Sequence, residues 1–387
     1  MNTKGPRMLP RICRYLVVSA AVSLTWINAS SAEELKFGAI ASLEGPAAFV
    51  GLAAKTGIEV AVQMINSDPA TYLGNKDRTI AVNVRSGGLS PATALSEARV
   101  LQADAKVLGI FGPTLSPQAL ALGPFAQQSR IPLLVMHSPS MERTEAGDYV
   151  FGVAQDGNNL SNYAVKAYLR KYPNAKSAGV IYNHDNQGNI LTAEAAKEAF
   201  KEARIQVTEF TLPFSSLDFA GAIDKLKAAK ADVVYLSLPG SAIIAAVQQA
   251  DRVDYHPIYI GQGPMASSTV LQNGGKSLNG SLAAADYDPN LDTPLNKAFV
   301  AAFSKAAGST PDIYGAQGFA TTMLAAVAIK SISGEVNREK LKDALAKINN
   351  APSVLGSGTF AFRKDRTVAP PPAVLEIQEG KLTKLKP

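Results

Sequence analysis

The amino-acid sequence predicts an α/β protein with two doubly wound parallel-sheet lobes, and three observations carry that prediction. Short runs rich in Val, Ile and Leu alternate with longer amphipathic runs along most of the chain, the pattern of parallel strands connected by helices. The short runs are apolar on both faces, as strands covered by helices on both sides must be. The strand–helix series between residues 35 and about 136 starts again between 177 and about 262, and the chain is longer than one core comfortably fills.

Taken in order, strands are expected at Leu35–Ala41, Thr79–Arg85, Val107–Phe111, Pro132–Met136, Tyr149–Val153, Ser177–Tyr182, Gln206–Leu212, Asp232–Leu238 and Pro257–Gln262. Helices are expected between most of them, at Ala47–Ser67, Pro91–Ala103, Pro117–Ser129, Asn158–Tyr172, Ile190–Ala203, Asp218–Lys230 and Ser241–Val253. Ser90-Pro91 and Ser116-Pro117 each place an N-cap residue before a proline at the first helical position. The C-terminal part departs from the alternation. Helices at Thr293–Ala307, Tyr314–Ile332 and Asn337–Ile348 precede short strands near Gly358–Phe362 and at Ala373–Gln378. Pro370-Pro371-Pro372 cannot continue a hydrogen-bonded ladder and marks a loop.

The first residues read as an export signal. Lys4, Arg7, Arg11 and Arg14 form a positive segment without acids, an apolar run spans Tyr15 to Ile27, and Ser30-Ser31-Ala32 are small. Cleavage is expected after Ala32, and a periplasmic location follows. The apolar run is too short for a membrane span, which takes about 20 residues. Cys13 precedes the run, so it is not a lipidation site, and it is the only cysteine of the chain. Without residues 1–32 the count of 38 basic and 32 acidic residues becomes 34 and 32, so the net charge falls from +6 to +2. The basic balance therefore belongs to the signal and offers no nucleic-acid surface.

In open parallel sheets, ligands bind beyond the carboxyl ends of the strands. The loops there are Ser42 to Gly51 after the first strand, Gly112 to Gln118 after the third, and His137-Ser138-Pro139-Ser140 after the fourth. They carry hydroxyls, glycines and backbone N–H groups at helix starts, which suits a small carboxylate. Ser116 has two readings: it caps its own helix, or it donates its hydroxyl to an anion.

These loops resemble those of the periplasmic solute-binding proteins of ABC importers, in the branched-chain amino acid (Leu/Ile/Val-binding) class. Gly45-Pro46 to Gly51 is similar to that family's first-loop G-P-x-x-x-x-G. Gly112 to Ser116 is similar to its G-x-x-x-S, followed by Ile131-Pro132 and the His137 loop. The resemblance covers about residues 35–385. It implies a type I periplasmic-binding-protein fold with three crossings, near 154–157, 281–285 and 354–360. Lobe one would then hold 33–154 and 284–357, and lobe two 155–283 and 358–387. It further implies a receptor for a small amino acid, branched-chain-like, delivered by a monomer to ABC permease subunits, with no cofactor; the alternatives are the same role for a non-amino carboxylate or amide, such as an aromatic acid, or a sensor subunit on the same fold.

By resemblance the ligand carboxylate falls to Ser116 with Thr114 and Leu115 beside it, and to His137, Ser138 and Pro139. Phe49 and Val50 supply the first-loop contact, and Phe319 completes the set on that side. Lobe two departs from the family. Gly263 stands where a carboxylate commonly holds the ligand ammonium, Pro239 where an aromatic is typical, and Gln187 where a tyrosine is usual. Asp156 lies near another acid of the family. Either Asp156 holds an ammonium, or the ligand has none, because a buried ammonium without a partner costs several kcal/mol.

Catalytic patterns are missing. Gly261-Gln262-Gly263-Pro264-Met265-Ala266 fits G-x-G-x-x-A, but Pro264 removes an N–H that a pyrophosphate needs. There is no G-x-S-x-G elbow and no P-loop. The three histidines, His137, His184 and His256, form no helical pair, and with no cysteine beyond the signal a transition-metal site is not expected. His184-Asp185 has no activated nucleophile beside it and reads as a loop pair. The chain is expected to bind and not to catalyse.

Overall fold

The computed structural model describes residues 1–3, 5, 32–138 and 145–385. Almost all of the expected signal, together with Pro139 and Ser140, lies outside the described residues.

From its first strand the chain builds one parallel sheet. β1 (Glu33–Ala41) leads through a 3₁₀ turn into α1 (Ala48–Ser67) and the short α2 (Pro69–Leu73). β2 (Arg78–Ser86), α3 (Pro91–Ala103), β3 (Val107–Phe111), α4 (Ser116–Ser129), β4 (Leu133–Val135) and β5 (Val150–Gly152) follow. The five strands lie parallel in the order β2-β1-β3-β4-β5.

A second series repeats the theme. It runs through α5 (Gly157–Lys171), β6 (Ser177–Asn183), α6 (Gln187–Glu202), β7 (Gln206–Leu212), α7 (Ala220–Ala228), β8 (Val233–Ser237), α8 (Gly240–Arg252), β9 (Ile258–Gly261), α9 (Ser268–Asn273) and β10 (Leu282–Ala285). The chain then returns to the first lobe with α10 (Pro294–Ala307), α11 (Ile313–Lys330), α12 (Arg338–Ala346) and the strand pair β11 (Ala351–Pro352) and β12 (Thr359–Phe360). Finally β13 (Ala373–Gln378) and β14 (Lys381–Lys384) extend the second sheet antiparallel, in the order β7-β6-β8-β9-β10-β13-β14. β10 was not expected: Leu-Ala-Ala-Ala has little strand propensity, and pairing with β9 and β13 makes it a strand.

Each sheet is covered on both faces. Phe37, Phe111, Phe299, Phe319 and Leu341 fill the core between the first sheet and α1, α10, α11 and α12. Ala94, Ala98, Ala119 and Leu122 of α3 and α4 pack on its other side. Around the second sheet, one core draws on α7 and α8 and the other on α5 and α6. The helical stretch Gly45–Ser67 that contains α1 is long and apolar enough, with a mean hydropathy of 1.4 over its most apolar 18 residues, to cross a membrane by length and composition. Its buried Val50, Ala54, Ile58, Ala61 and Ile65 instead line the first core.

α1 and α11 approach so closely that backbone meets backbone. A Cβ on Gly57 would lie 2.0 Å from the Gly315 carbonyl oxygen, and one on Gly318 would lie 2.2 Å from that of Ala54. Only glycine permits this crossing.

The chain passes between the sheets three times, after β5, after β10 and between β12 and β13. The expected lobe limits shift accordingly. β10 keeps the chain in the second sheet as far as Ala285. Phe360, Phe362 and Val368 pack in the first core, so residues 358–368 belong with lobe one and the third passage is the proline run. The reason is aromatic packing: the Phe362 ring lies tilted against Phe151 and edge-on to Phe360. One residue ties the passages together. The Asp286 carboxylate accepts from Gln155 N (3.1 Å) and from Gln317 Nε2 (3.2 Å), and its carbonyl accepts from Gly356 N (2.7 Å).

Candidate functional site

The carboxyl ends of the strands in the two sheets face each other across a cavity of about 70 Å³. This is several times the room one water needs, about 10–15 Å³. Ala47, Phe49, Val50, Thr114, Leu115, Ser116, His137 and Tyr314 line it from lobe one. Asn186, Asn189, Phe214, Leu238, Pro239, Gln262 and Pro264 line it from lobe two. The lobes touch at its rim: a Cβ on Gly240 would meet Phe49 Cζ at 3.3 Å.

The lobe-one wall is built from hydroxyls and a helix start. α4 begins with Leu115 at the N-cap position and has no side-chain cap. Ser116 therefore does not cap its helix, against one expectation. The amide N–H groups of Ser116 and Gln118 lie in the first turn, ahead of the first intrahelical bond from Ala119 N to Leu115 O. Instead of capping, Ser116 Oγ accepts from Ser138 Oγ at 3.0 Å, which leaves its own hydrogen to be donated. Thr114 Oγ1 accepts from Ser42 N at 3.1 Å, binding the loops after β1 and β3 to each other. His137 Nδ1 lies 2.9 Å from Gln317 Oε1. Because Gln317 Nε2 donates to Asp286, its Oε1 must be the acceptor, so His137 carries its proton on Nδ1. Tyr314 stands edge-on to both His137 (4.8 Å) and Phe49 (5.7 Å). Burial first, and then the nearby Asp312, push the Tyr314 phenol well above its ordinary pKa, so it remains a donor.

The lobe-two wall is held by a buried neutral network. Gln262 Nε2 donates to Ser161 Oγ (3.1 Å), Tyr235 OH (3.1 Å) and Gly157 O (3.4 Å). Ser161 and Tyr235 are 2.8 Å apart, and burial pushes the Tyr235 phenol up to about 12. Thr192 and Ser237 pair at 2.5 Å, and Ser237 Oγ donates to Asn189 O at 2.9 Å. Asn186 caps α6 by accepting from Asn189 N at 3.2 Å. Asp185 accepts from Phe214 N at 2.7 Å and so positions that ring, the structural use of the His184-Asp185 pair.

Of the residues expected at a site, Phe49, Val50, Thr114, Leu115, Ser116, His137 and Pro239 meet at the cavity. Ser138 sits behind it, fully buried against Ser116. Pro139 lies outside the described residues. Asp156 is not on the lining: Oδ1 accepts from Asn159 N (2.9 Å) and Oδ2 from Asn159 Nδ2 (2.7 Å), so its charge is used to cap α5. Gln187 is exposed, and its neighbours Asn186 and Asn189 face the cavity instead. Gly263 is buried between Gln262 and Pro264, and a Cβ there would touch Ile313 at 3.4 Å. Phe319 lies in the core, its ring 4.4 Å from that of Phe299. It lies five positions along the helix from Tyr314, a turn of about 140° away from the cleft.

Sequence reading had passed over Tyr314, Phe214, Asn186, Asn189, Leu238, Gln262 and Pro264. Most follow directly on strand ends of the second sheet, which was the available signal. No Asp, Glu, Lys or Arg lines the cavity among the described residues. Those residues also hold no group of three or more His, Cys, Asp or Glu arranged for a metal.

The periplasmic binding protein family model matches residues 34–381, and the chain belongs to that family. Its fold is the type I arrangement, and the protein is an extracytoplasmic solute-binding receptor, not an enzyme. A Leu/Ile/Val-binding protein homolog of Brucella suis biovar 1 is 26% identical over 316 residues, covering 77% of each chain. An R. palustris solute-binding protein solved with benzoate superposes with a TM-score of 0.81 at 22% identity, covering 91% of this chain and 95% of that one. A branched-chain amino acid binding protein of Streptococcus pneumoniae solved with isoleucine gives 0.81 at 20% identity, over 92% and 100% of the two chains.

Proposed function

We propose that this protein captures a small monocarboxylate without an ammonium group and hands it to the permease subunits of an ABC importer, acting as a monomer after its signal is cleaved near Ala32. One observation carries the ligand class: uncapped helix donors and the Ser116 hydroxyl face a second wall with no acid on it among the described residues. The donors suit an anion. An ammonium on the other wall would lack a counter-charge, at a cost of several kcal/mol. Closure would be a hinge motion at the three passages, favoured only by a solute that touches both walls.

A second reading, a branched-chain-like amino acid, is supported by the Leu/Ile/Val-binding name of the Brucella relative and by the isoleucine bound to the pneumococcal structure. It would leave the ammonium to the amide oxygens of the second wall alone. A thermal-shift screen of the purified protein separates the readings. Simple monocarboxylates such as benzoate are expected to raise the melting temperature by several degrees and L-leucine not to. The reverse order would establish the amino acid reading.

A further inference from the structure

Two amide side chains on the lobe-two wall have their orientation decided by what lies behind them. Gln262 faces the Gly157 carbonyl, which can only accept, and the Ser161 hydroxyl, whose hydrogen goes to the Gly157 and Thr192 carbonyls at 2.8 Å, so the atom placed there is its nitrogen. Its Oε1 is thereby turned elsewhere, and no described residue donates to it. Asn183 Nδ2 donates to the Pro213 carbonyl at 3.0 Å, so Asn183 Oδ1 is an acceptor. Asn189 Nδ2 donates to that oxygen at 2.8 Å, which leaves Asn189 Oδ1 as the second acceptor without a described donor. Both residues line the cavity. The wall therefore turns two neutral carbonyl oxygens away from the protein's own donors, and an acceptor left unpaired once the site closes on a solute is costly.

Resting on the monocarboxylate reading above, we infer that the solute carries a neutral hydroxyl at the end away from its carboxylate, its one hydrogen shared between Gln262 Oε1 and Asn189 Oδ1. The carboxylate lies against Thr114, Ser116 and the start of α4, and the body between the two groups packs on Phe49, Phe214 and Tyr314. Neutral acceptors satisfy a hydroxyl in full but leave an ammonium without a counter-charge, so the same pair discriminates against amino acids.

Titration calorimetry with two matched pairs of probes tests this: benzoate against 4-hydroxybenzoate, and butanoate against 4-hydroxybutanoate. In at least one pair the hydroxylated acid is expected to bind about tenfold more tightly or better. Asn189→Leu and Gln262→Met are each expected to bring that ratio toward one. Asn189 is only partly buried, so its variant stands as the test should Gln262→Met fail to fold. A ratio near one for both pairs in the unaltered protein overturns the inference, as does a ratio that survives Asn189→Leu. In either case binding of the plain acids leaves the monocarboxylate receptor standing. Binding of L-leucine by a protein that takes none of the four acids overturns both.

Discussion

The two walls of the cleft are built on opposite principles. Lobe one presents the start of a helix, hydroxyls and a histidine, on loops that follow β1, β3 and β4. Lobe two presents amides and apolar rings, supported by hydrogen bonds among Ser161, Thr192, Tyr235 and Ser237. Under the proposed function the first wall would take the solute's charge, with the start of a helix as its main device. The second would take the remainder of the solute, which needs side chains held in one orientation by others.

The largest expected effect comes from breaking the first wall from behind. Gly318→Leu forces a side chain into the Ala54 carbonyl and should destabilise the protein by about 3 kcal/mol or more. Gly221 of α7 is the contrast on the second lobe. A Cβ there meets only Phe210, at 3.6 Å, so Gly221→Ala should be neutral or stabilise by up to about 1 kcal/mol. Urea denaturation of both variants reads the difference, and equal effects would mean that the α1–α11 crossing is not the support described.

Next comes Ser116, the hydroxyl proposed to meet the solute's charge. Ser116→Ala should weaken binding of a carboxylate probe by about 1–2 kcal/mol without altering the melting temperature of the free protein by more than a degree or two. Calorimetry showing unchanged affinity would remove Ser116 from the wall.

A further effect concerns pH. Asp312 caps α11, the helix that carries Tyr314 and Gln317, by accepting from Tyr314 N (3.0 Å) and Gly315 N (3.1 Å). Burial pushes its carboxyl up to about 6 from an ordinary 3.8, outweighing those two amides, which pull it down. An acid whose pKa is higher in the folded state resists ionising there. Below about pH 4 it is protonated in both states and costs nothing, and above about pH 6 its cost is fully present. Its contribution to stability therefore falls as pH rises from 4 to 6. Asp312→Asn keeps a capping side chain and should gain stability relative to the parent across that window, with a constant difference above it. Denaturation midpoints at pH 4, 5, 6 and 7 check the sign.

Much of lobe one was legible from residues alone. The strand-end rule and the helix-start chemistry are local, so Thr114, Ser116 and His137 could be placed before any fold was known. Ser116 as a cap was the misreading, because whether a serine caps or faces outward depends on one turn of backbone and on Ser138, twenty-two residues away. Phe319 was misplaced for a similar reason: its helix is buried on nearly every side, so no polar face shows which residues look toward the cleft. On lobe two the flagged positions Gln187 and Gly263 each lay beside the residues that line the cavity. Their side chains depend on contacts from α5, α6, β8 and β9 that no local pattern encodes.

Alternating apolar runs that start over at residue 177 were enough to predict two parallel-sheet lobes, because periodicity acts over a few neighbouring residues. Tertiary structure alone decided that Asp156 is spent on its own helix, that Leu282–Ala285 becomes a strand, and that Gln262 and Asn189 turn their nitrogens inward. Those outcomes follow from the requirement that buried polar groups find partners, and the partners come from distant parts of the chain.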